Sequence, residues 1–212
     1  MIQIQQLLHP FEYTKVDRII DVIFTTAVDV ESQQEEETEK PGISENYQAE
    51  DNGHASKQGY TDRALLNDKR QTAIVAFAAL KKTDLIKRSR TFFWSIDKKM
   101  RVCCTVSKRY EGDYQPYWYA YHPKWDEFLC DGEGFLVLCC MDLNSAFAVP
   151  QSWFAENKQN LNVTERTDGK SYWHIPLTIL NDHSIAINLS KVGRKYSLEP
   201  HRFSLAAMTD AM

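Results

Sequence analysis

The sequence predicts an α+β protein in which a mixed sheet follows N-terminal helices and is interrupted by short inserted helices. Three observations predict this class. Apolar residues at helical spacing are concentrated in the first 85 residues, period-two and aromatic or β-branched runs fill the remainder, and the two patterns do not alternate as a βαβ repeat would. With 212 residues the chain is long enough for one ordinary domain with its own core.

Two helices are predicted in the N-terminal part. The first covers roughly residues 14–28, where Thr14 and Asp17 resemble a capping box ahead of apolar residues at helical spacing. It belongs to an N-terminal helical segment, residues 1–30. The second starts near Thr61 or Asp62 and runs to about Lys82 with an alanine-rich packing face. It opens the mixed α+β globular domain, residues 61–205.

The segment between these helices, residues 31–60, has a different character. It holds eight acidic residues against two basic ones and almost no large aliphatic side chain. Such a segment cannot bury enough apolar surface to offset the entropy lost on ordering. The sequence therefore predicts an acidic disordered linker, with an acidic interaction motif as the alternative.

Seven strands are predicted after Leu85 from period-two and β-branched or aromatic runs. They cover residues 91–96, 101–107, 115–121, 134–141, 146–149, 172–179 and 184–189. Turn residues at 97–99 and 181–183 predict two hairpins. A short helix is expected from Pro123 to Leu129, and another after Pro150 with proline in its first turn.

Composition excludes several classes of protein and function. No run of about 18 apolar residues exists and the N-terminus does not resemble a signal peptide, so a cytoplasmic protein without a membrane partner is expected. The five cysteines fit neither a disulfide framework nor a zinc ribbon, and their spacing favours reduced thiols. No nucleotide-binding loop or serine nucleophile elbow is present, and no short-range spacing of His, Cys and Asp supplies a metal site.

Basic residues are concentrated between Lys81 and Arg109. Ten basic residues stand there against two acidic ones, in a chain whose formal net charge is −4. Phosphates are the commonest partner of such a segment, and the alternative is a solvated edge that has no ligand or is covered by the acidic segment. The candidate phosphate-binding residues are Lys87, Arg88, Arg90, Lys108 and Arg109. The predicted partner is nucleic acid, with DNA preferred, and protein partners and oligomeric state stay open.

Aromatic residues crowd the predicted strand 115–121. On an extended strand Tyr117, Tyr119 and Tyr121 point to one face and Trp118 points to the other. One of these faces belongs to the core. The other is a candidate surface for stacking bases, although packing within the sheet is the favoured role.

The order of elements resembles the restriction-endonuclease-like PD-(D/E)XK superfamily over roughly residues 62–160. The order is a helix, strand 91–96, strand 101–107 before Lys108, strand 134–141, and then a strand ending at Pro150 with a helix after it. In that family a carboxylate ends one strand, a second lies two residues before a lysine on the next, the carboxylates hold Mg²⁺, and the lysine assists attack on the phosphodiester. The resemblance implies Asp97 and Lys108 as catalytic candidates, although Val106 occupies the position of the second carboxylate.

Three alternatives stay open for that resemblance: an inactive relative, an active one with a displaced carboxylate such as Glu111, Asp113 or Asp142, or no relationship. Three functional hypotheses follow from the sequence. The first is a nucleic-acid-binding domain with a basic, aromatic-rich face, for which no cofactor is expected. The second is a nuclease of restriction or defence type that depends on Mg²⁺, and the third is a protein-interaction module.

Overall fold

The computed structural model describes residues 63–111 and 115–206. The predicted helix at 14–28, the acidic linker at 31–60 and the candidate carboxylate Asp113 lie outside the described residues. Within the described part the predicted α+β class is confirmed, with a mixed sheet and short inserted helices.

The described elements are three α-helices, eleven strands and two 3₁₀ turns. The helices are α1 (Arg63–Lys81), α2 (Pro123–Cys130) and α3 (Gln151–Asn157). The strands are β1 (Leu85–Lys87), β2 (Phe92–Ser95), β3 (Met100–Ser107), β4 (Tyr117–Tyr121), β5 (Glu133–Cys140), β6 (Ser145–Pro150), β7 (Val163–Glu165), β8 (Ser171–Ile179), β9 (Ile185–Leu189), β10 (Arg194–Ser197) and β11 (Arg202–Ser204). The 3₁₀ turns are Lys158–Asn160 and Glu199–His201.

The first sheet has six strands in the order β1-β2-β3-β5-β6-β11. The pair β3 and β5 is parallel, with Met100 opposite Glu133 and Ser107 opposite Cys140, and the other pairs are antiparallel. A parallel pair needs a crossover connection, and here β4 and α2 provide it.

The second sheet has five strands and follows the order β10-β9-β8-β4, with β7 also paired to β8. All of its pairs are antiparallel. The long strand β8 is the organising element because it pairs with β4 through its middle, with β7 at its start and with β9 at its end.

Helix α1 covers one face of the six-stranded sheet. Ala73, Ile74 and Phe77, at helical spacing, are buried against residues from β2, β3, β5, β6 and the region of β11. Val137 and Cys139 of β5 belong to this cluster. Their neighbours Leu136, Leu138 and Cys140 point to the opposite face by strand alternation.

The opposite face of that sheet is covered by the second sheet and the short helices. The hydroxyl of Tyr119 on β4 donates to the Cys139 carbonyl oxygen at 2.8 Å and lies 3.3 Å from the Cys140 sulfur. Tyr121 stacks on Phe154 of α3 with ring centroids 4.5 Å apart. Because the central strands are covered on both faces, both cysteines of each adjacent pair are buried.

All seven predicted strands are present within one or two residues of their expected bounds, and both predicted hairpins form. The short helices are also confirmed, except that Pro150 precedes the first turn of α3 rather than lying in it. None of the described helices is long and apolar enough to cross a membrane.

Candidate nucleic-acid interface

Five basic residues predicted to contact phosphates lie at one edge of the six-stranded sheet, namely the edge formed by the C-terminal ends of β1 and β3. Lys87 ends β1, Arg88 and Arg90 belong to the loop between β1 and β2, and Lys108 and Arg109 follow β3. β1 and β3 both run antiparallel to β2, so their C-terminal ends lie at the same edge. We call these five residues the basic edge.

The basic edge consists of two groups of cations. The backbone N–H of Cys104 donates to the Thr91 carbonyl oxygen at 2.8 Å, which places the end of the β1–β2 loop level with Cys104. Strand β3 continues beyond that level before it reaches Lys108. Four residues of extended strand span about 13 Å, so the two groups are far enough apart to reach separate phosphate groups.

The other five basic residues of the segment lie away from this edge. Lys81 and Lys82 are at the end of α1, and Lys98, Lys99 and Arg101 are at the start of β3. Lys81 approaches Glu133, which lies opposite the first residue of β3, so both groups are at the far end of that strand. The basic residues of the segment therefore fall into two groups, one towards each end of β3.

A groove of about 180 Å³ lies between α1 and the β1–β2 loop. Its lining comprises Asn67, Asp68, Arg70, Gln71, Lys87, Arg90 and Phe93. Arg70 is 5% exposed, and its guanidinium donates to the Cys104 carbonyl oxygen at 3.1 Å and to the Asn67 side chain at 2.8 Å. This arginine ties α1 to β3 and adds a fixed positive charge beside two residues of the basic edge.

Asp142 lies near the Lys108 and Arg109 end of the basic edge. The Tyr117 hydroxyl donates to its carboxylate at 2.8 Å, and Arg109 lies 3.4 Å away. Burial, and then the hydrogen bond to Asp142, raise the pKa of Tyr117 above its usual value. Asp142 thus anchors a buried tyrosine and offsets part of the charge of Arg109.

The three tyrosines of β4 are core residues, which corrects their candidacy as stacking residues for bases. Tyr117 and Tyr121 are fully buried and Tyr119 is 2% exposed. They face the six-stranded sheet, where a nucleic acid cannot reach their rings. The packing role that the sequence favoured is the one the structure shows.

Trp118, on the other face of β4, is partly exposed. Its indole N–H donates to Nδ1 of His174 at 3.3 Å, and Nε2 of His174 lies 2.6 Å from the Thr164 hydroxyl. Because an indole can only donate, Nδ1 accepts and Nε2 carries the proton that bonds to Thr164. Trp118 is therefore held by its edge on the outer face of the five-stranded sheet.

Asp97 and Lys108 are not brought together. Asp97 lies in the β2–β3 turn, where its carboxylate accepts hydrogen bonds from the Ser95 hydroxyl at 2.5 Å and from the Lys99 backbone N–H at 3.2 Å. These bonds lower the pKa of Asp97 below its usual value. Lys108 follows the far end of β3, and the eight residues of that strand extend over more than about 20 Å. Asp97 and Lys108 therefore cannot act together at one catalytic centre.

Of the carboxylates considered as replacements, Glu111 and Asp142 are described by the structure, and neither belongs to a group that could hold a metal ion. Asp142 is engaged by Tyr117 and Arg109, and Val106 has no side chain that binds a cation. Across residues 63–111 and 115–206, no group of three or more His, Cys, Asp or Glu side chains could hold a metal ion. The described residues therefore do not fit Mg²⁺ in the arrangement that the resemblance implies.

Sequence reasoning missed two residues that lie beside the basic residues: Arg70, which lines the groove with Lys87 and Arg90, and Trp94, whose ring lies under Arg88. Arg70 shares the buried face of α1 with Ala73 and Phe77, three and seven residues further on, and this spacing was the available signal. Trp94 stands in a predicted strand among basic residues, but its neighbours depend on strand register.

Comparison with protein-family models, curated proteins and solved structures finds no match to this chain.

Proposed function

We propose that this protein binds nucleic acid through the basic edge. The observation that supports the proposal most strongly is that two loops separated in sequence, 87–90 and 108–109, place five cations at the same edge of one sheet. Neutralising several phosphates releases condensed counterions, which is the main source of affinity for such surfaces.

Three acidic residues of the described part of the chain lie close to these loops. Asp68 lines the groove, Asp142 pairs with Arg109, and Glu111 follows the second loop. Arg70 and Lys69 of α1 contribute further positive charge, and the Lys69 amino group donates to the Leu143 carbonyl oxygen at 2.5 Å. Counted over residues 63–111 and 115–206, the charges around these loops are more often positive than negative.

The arrangement supports binding better than cleavage. A nuclease that depends on Mg²⁺ needs carboxylates gathered at the ion, and Asp97 and Lys108 stand at opposite ends of β3. A protein-interaction role for the aromatic strand has little support, because three of its aromatic side chains are in the core.

The test is direct binding of the full chain to a labelled DNA duplex, the matching RNA duplex and a labelled single strand across a salt series. We expect affinity that falls steeply with salt. Lys87→Gln combined with Lys108→Gln should weaken binding roughly tenfold at low salt, because each substitution leaves one phosphate without its cation. The matched control is Lys191→Gln combined with Lys195→Gln, which removes the same charge from exposed positions of the five-stranded sheet region.

The proposal fails if the wild type binds none of these nucleic acids at low salt or binds them independently of salt. It also fails if the two double variants weaken binding equally, since the effect would then reflect net charge rather than the basic edge. Relative affinity for the two duplexes separates DNA from RNA as the partner.

A further inference from the structure

A second surface is centred on Trp94, a partly exposed residue of β2. In the strand register Trp94 lies opposite Ile86 of β1 and opposite Arg101 of β3. Directly opposed residues of neighbouring strands point to the same face, so the three side chains form a row across the sheet. Ile86 in this row is 48% exposed.

Three cations surround the Trp94 indole. The guanidinium carbon of Arg88 lies 4.8 Å from the ring centroid, the Lys98 amino group 5.1 Å, and the guanidinium carbon of Arg101 5.6 Å. Arg101 also forms an ion pair with Asp131. The three cations therefore lie on one small surface, where Asp131 pairs with Arg101.

The three cations around Trp94 repel one another. Attraction to the indole face offsets part of the repulsion between the cations, by about 0.5–1 kcal/mol per exposed contact. An anion placed among Arg88, Lys98 and Arg101 would offset more, since each cation could then pair with it. The surface thus combines an aromatic ring with an anion-attracting rim.

Trp173 provides a comparison within the same molecule. It too is partly exposed, and Lys158 lies 5.3 Å from its ring centroid. That lysine is neutralised by an ion pair with Asp126. The two tryptophans therefore differ in the number of cations at the ring, since one lies over Trp173 and three lie around Trp94.

We propose, on the basis of the function proposed above, that Trp94 stacks on an unpaired base of a bound single strand while Arg88, Lys98 and Arg101 contact the flanking phosphates. Arg88 belongs to both surfaces, so the strand can continue from the basic edge onto Trp94. A base in a duplex is already stacked on both sides, and only an unpaired base offers its face to an indole. The proposed ligand is therefore a nucleic acid with a single-stranded segment.

Phe128 of α2 supports the indole from within the protein. Its ring lies nearly parallel to that of Trp94, with centroids 6.5 Å apart and an interplanar angle of 29°. Trp94→Leu keeps an apolar contact with Phe128 but removes the aromatic face. Trp94→Phe keeps a smaller aromatic face, and Trp173→Leu is the matched control.

The experiment measures binding of each full-length variant to a labelled oligothymidylate, a labelled duplex and inorganic polyphosphate, which has phosphates but no bases. Trp94→Leu should bind oligothymidylate about tenfold more weakly than the wild type, whereas Trp94→Phe should stay within about threefold. Polyphosphate binding by Trp94→Leu and oligothymidylate binding by Trp173→Leu should be unchanged. Oligothymidylate should also quench tryptophan fluorescence less in Trp94→Phe than in the wild type.

Unchanged oligothymidylate binding by Trp94→Leu overturns the stacking role, as does an equal weakening of polyphosphate binding. If Trp94→Leu does not fold, equal quenching in the wild type and Trp94→Phe overturns it instead. Wild type that binds duplex but not oligothymidylate contradicts the role of Trp94 and leaves the basic edge intact. Failure of the wild type to bind any of the three overturns both proposals.

Discussion

Strand β4 places alternate aromatic residues in opposite environments. Tyr119 faces the core and is fixed by a hydrogen bond to the Cys139 carbonyl oxygen, while its neighbour Trp118 is partly exposed and bonded to His174. Alternation predicted that these residues face opposite ways. It could not predict which face is buried, because both faces are aromatic and the outcome depends on where the six-stranded sheet packs.

The buried position of Tyr119 leads to a prediction that separates packing from binding. Tyr119→Phe removes the hydroxyl and leaves the Cys139 carbonyl oxygen without that donor, so the free energy of unfolding should fall by about 1–3 kcal/mol. Nucleic-acid affinity should not change, because the ring is inaccessible. Urea unfolding and the binding assay check the two outcomes, and much weaker binding by a folded variant would contradict the core assignment.

Asp126 is the buried carboxylate that links α2 to its neighbours. It accepts hydrogen bonds from the Tyr121 hydroxyl at 2.7 Å and from Gln151 at 3.2 Å, and it forms an ion pair with Lys158. Burial acts to raise the pKa of Asp126, but the bonds from Lys158, Tyr121 and Gln151 outweigh it and hold the pKa below the usual value.

Asp126→Asn should therefore lower the free energy of unfolding at pH 7 by about 1–3 kcal/mol. A depressed pKa in the folded state gives stability that is present above the unfolded pKa and is lost as pH falls through the folded value. The difference between variant and wild type should shrink as the pH falls below the ordinary aspartate pKa of 3.8. Asp168→Asn, at an exposed ion pair with Arg166, is the control and should cost less than about 0.5 kcal/mol. If the difference in free energy of unfolding between Asp126→Asn and the wild type does not change with pH, the lowered pKa of Asp126 is contradicted.

At the scale of the element, sequence patterns located the long strands and β2 and missed the other four short strands. The missed strands are β1, β7, β10 and β11, each of three or four residues. A segment this short holds at most two residues on each face, so no alternation can be recognised. Their pairing is decided by the neighbouring strand, which is a tertiary effect.

The junction between α2 and β5 is closely packed around a glycine. A Cβ atom at Gly134 would lie 2.2 Å from the Leu129 carbonyl oxygen. Gly134→Ala should force α2 away from β5 and lower the free energy of unfolding by about 1–3 kcal/mol. Glu133→Ala, one residue earlier and exposed, should cost less than about 0.5 kcal/mol. Equal unfolding midpoints for the two variants would contradict this packing.

For the whole molecule, the sequence showed how much positive charge the segment from Lys81 to Arg109 contains but not where the fold puts it. The division into two basic groups follows from strand direction and length, because the two ends of the eight-residue strand β3 lie more than about 20 Å apart. The same length bears on the nuclease hypothesis. The strand predicted at 101–107 already implies that Asp97 and Lys108 lie far apart. The resemblance to the nuclease family was based on the order of elements, which carries no information about this distance.

The salt dependence of affinity tests the central claim that the basic edge binds phosphates. The variant for this test replaces Lys87, Arg88, Arg90, Lys108 and Arg109 by glutamine. The slope of log affinity against log salt should be shallower in this variant by about 0.7–0.9 for every phosphate that is no longer neutralised, and so by up to about 4. Parallel salt plots for the folded variant and the wild type would contradict the claim, because the five residues would then neutralise no phosphate.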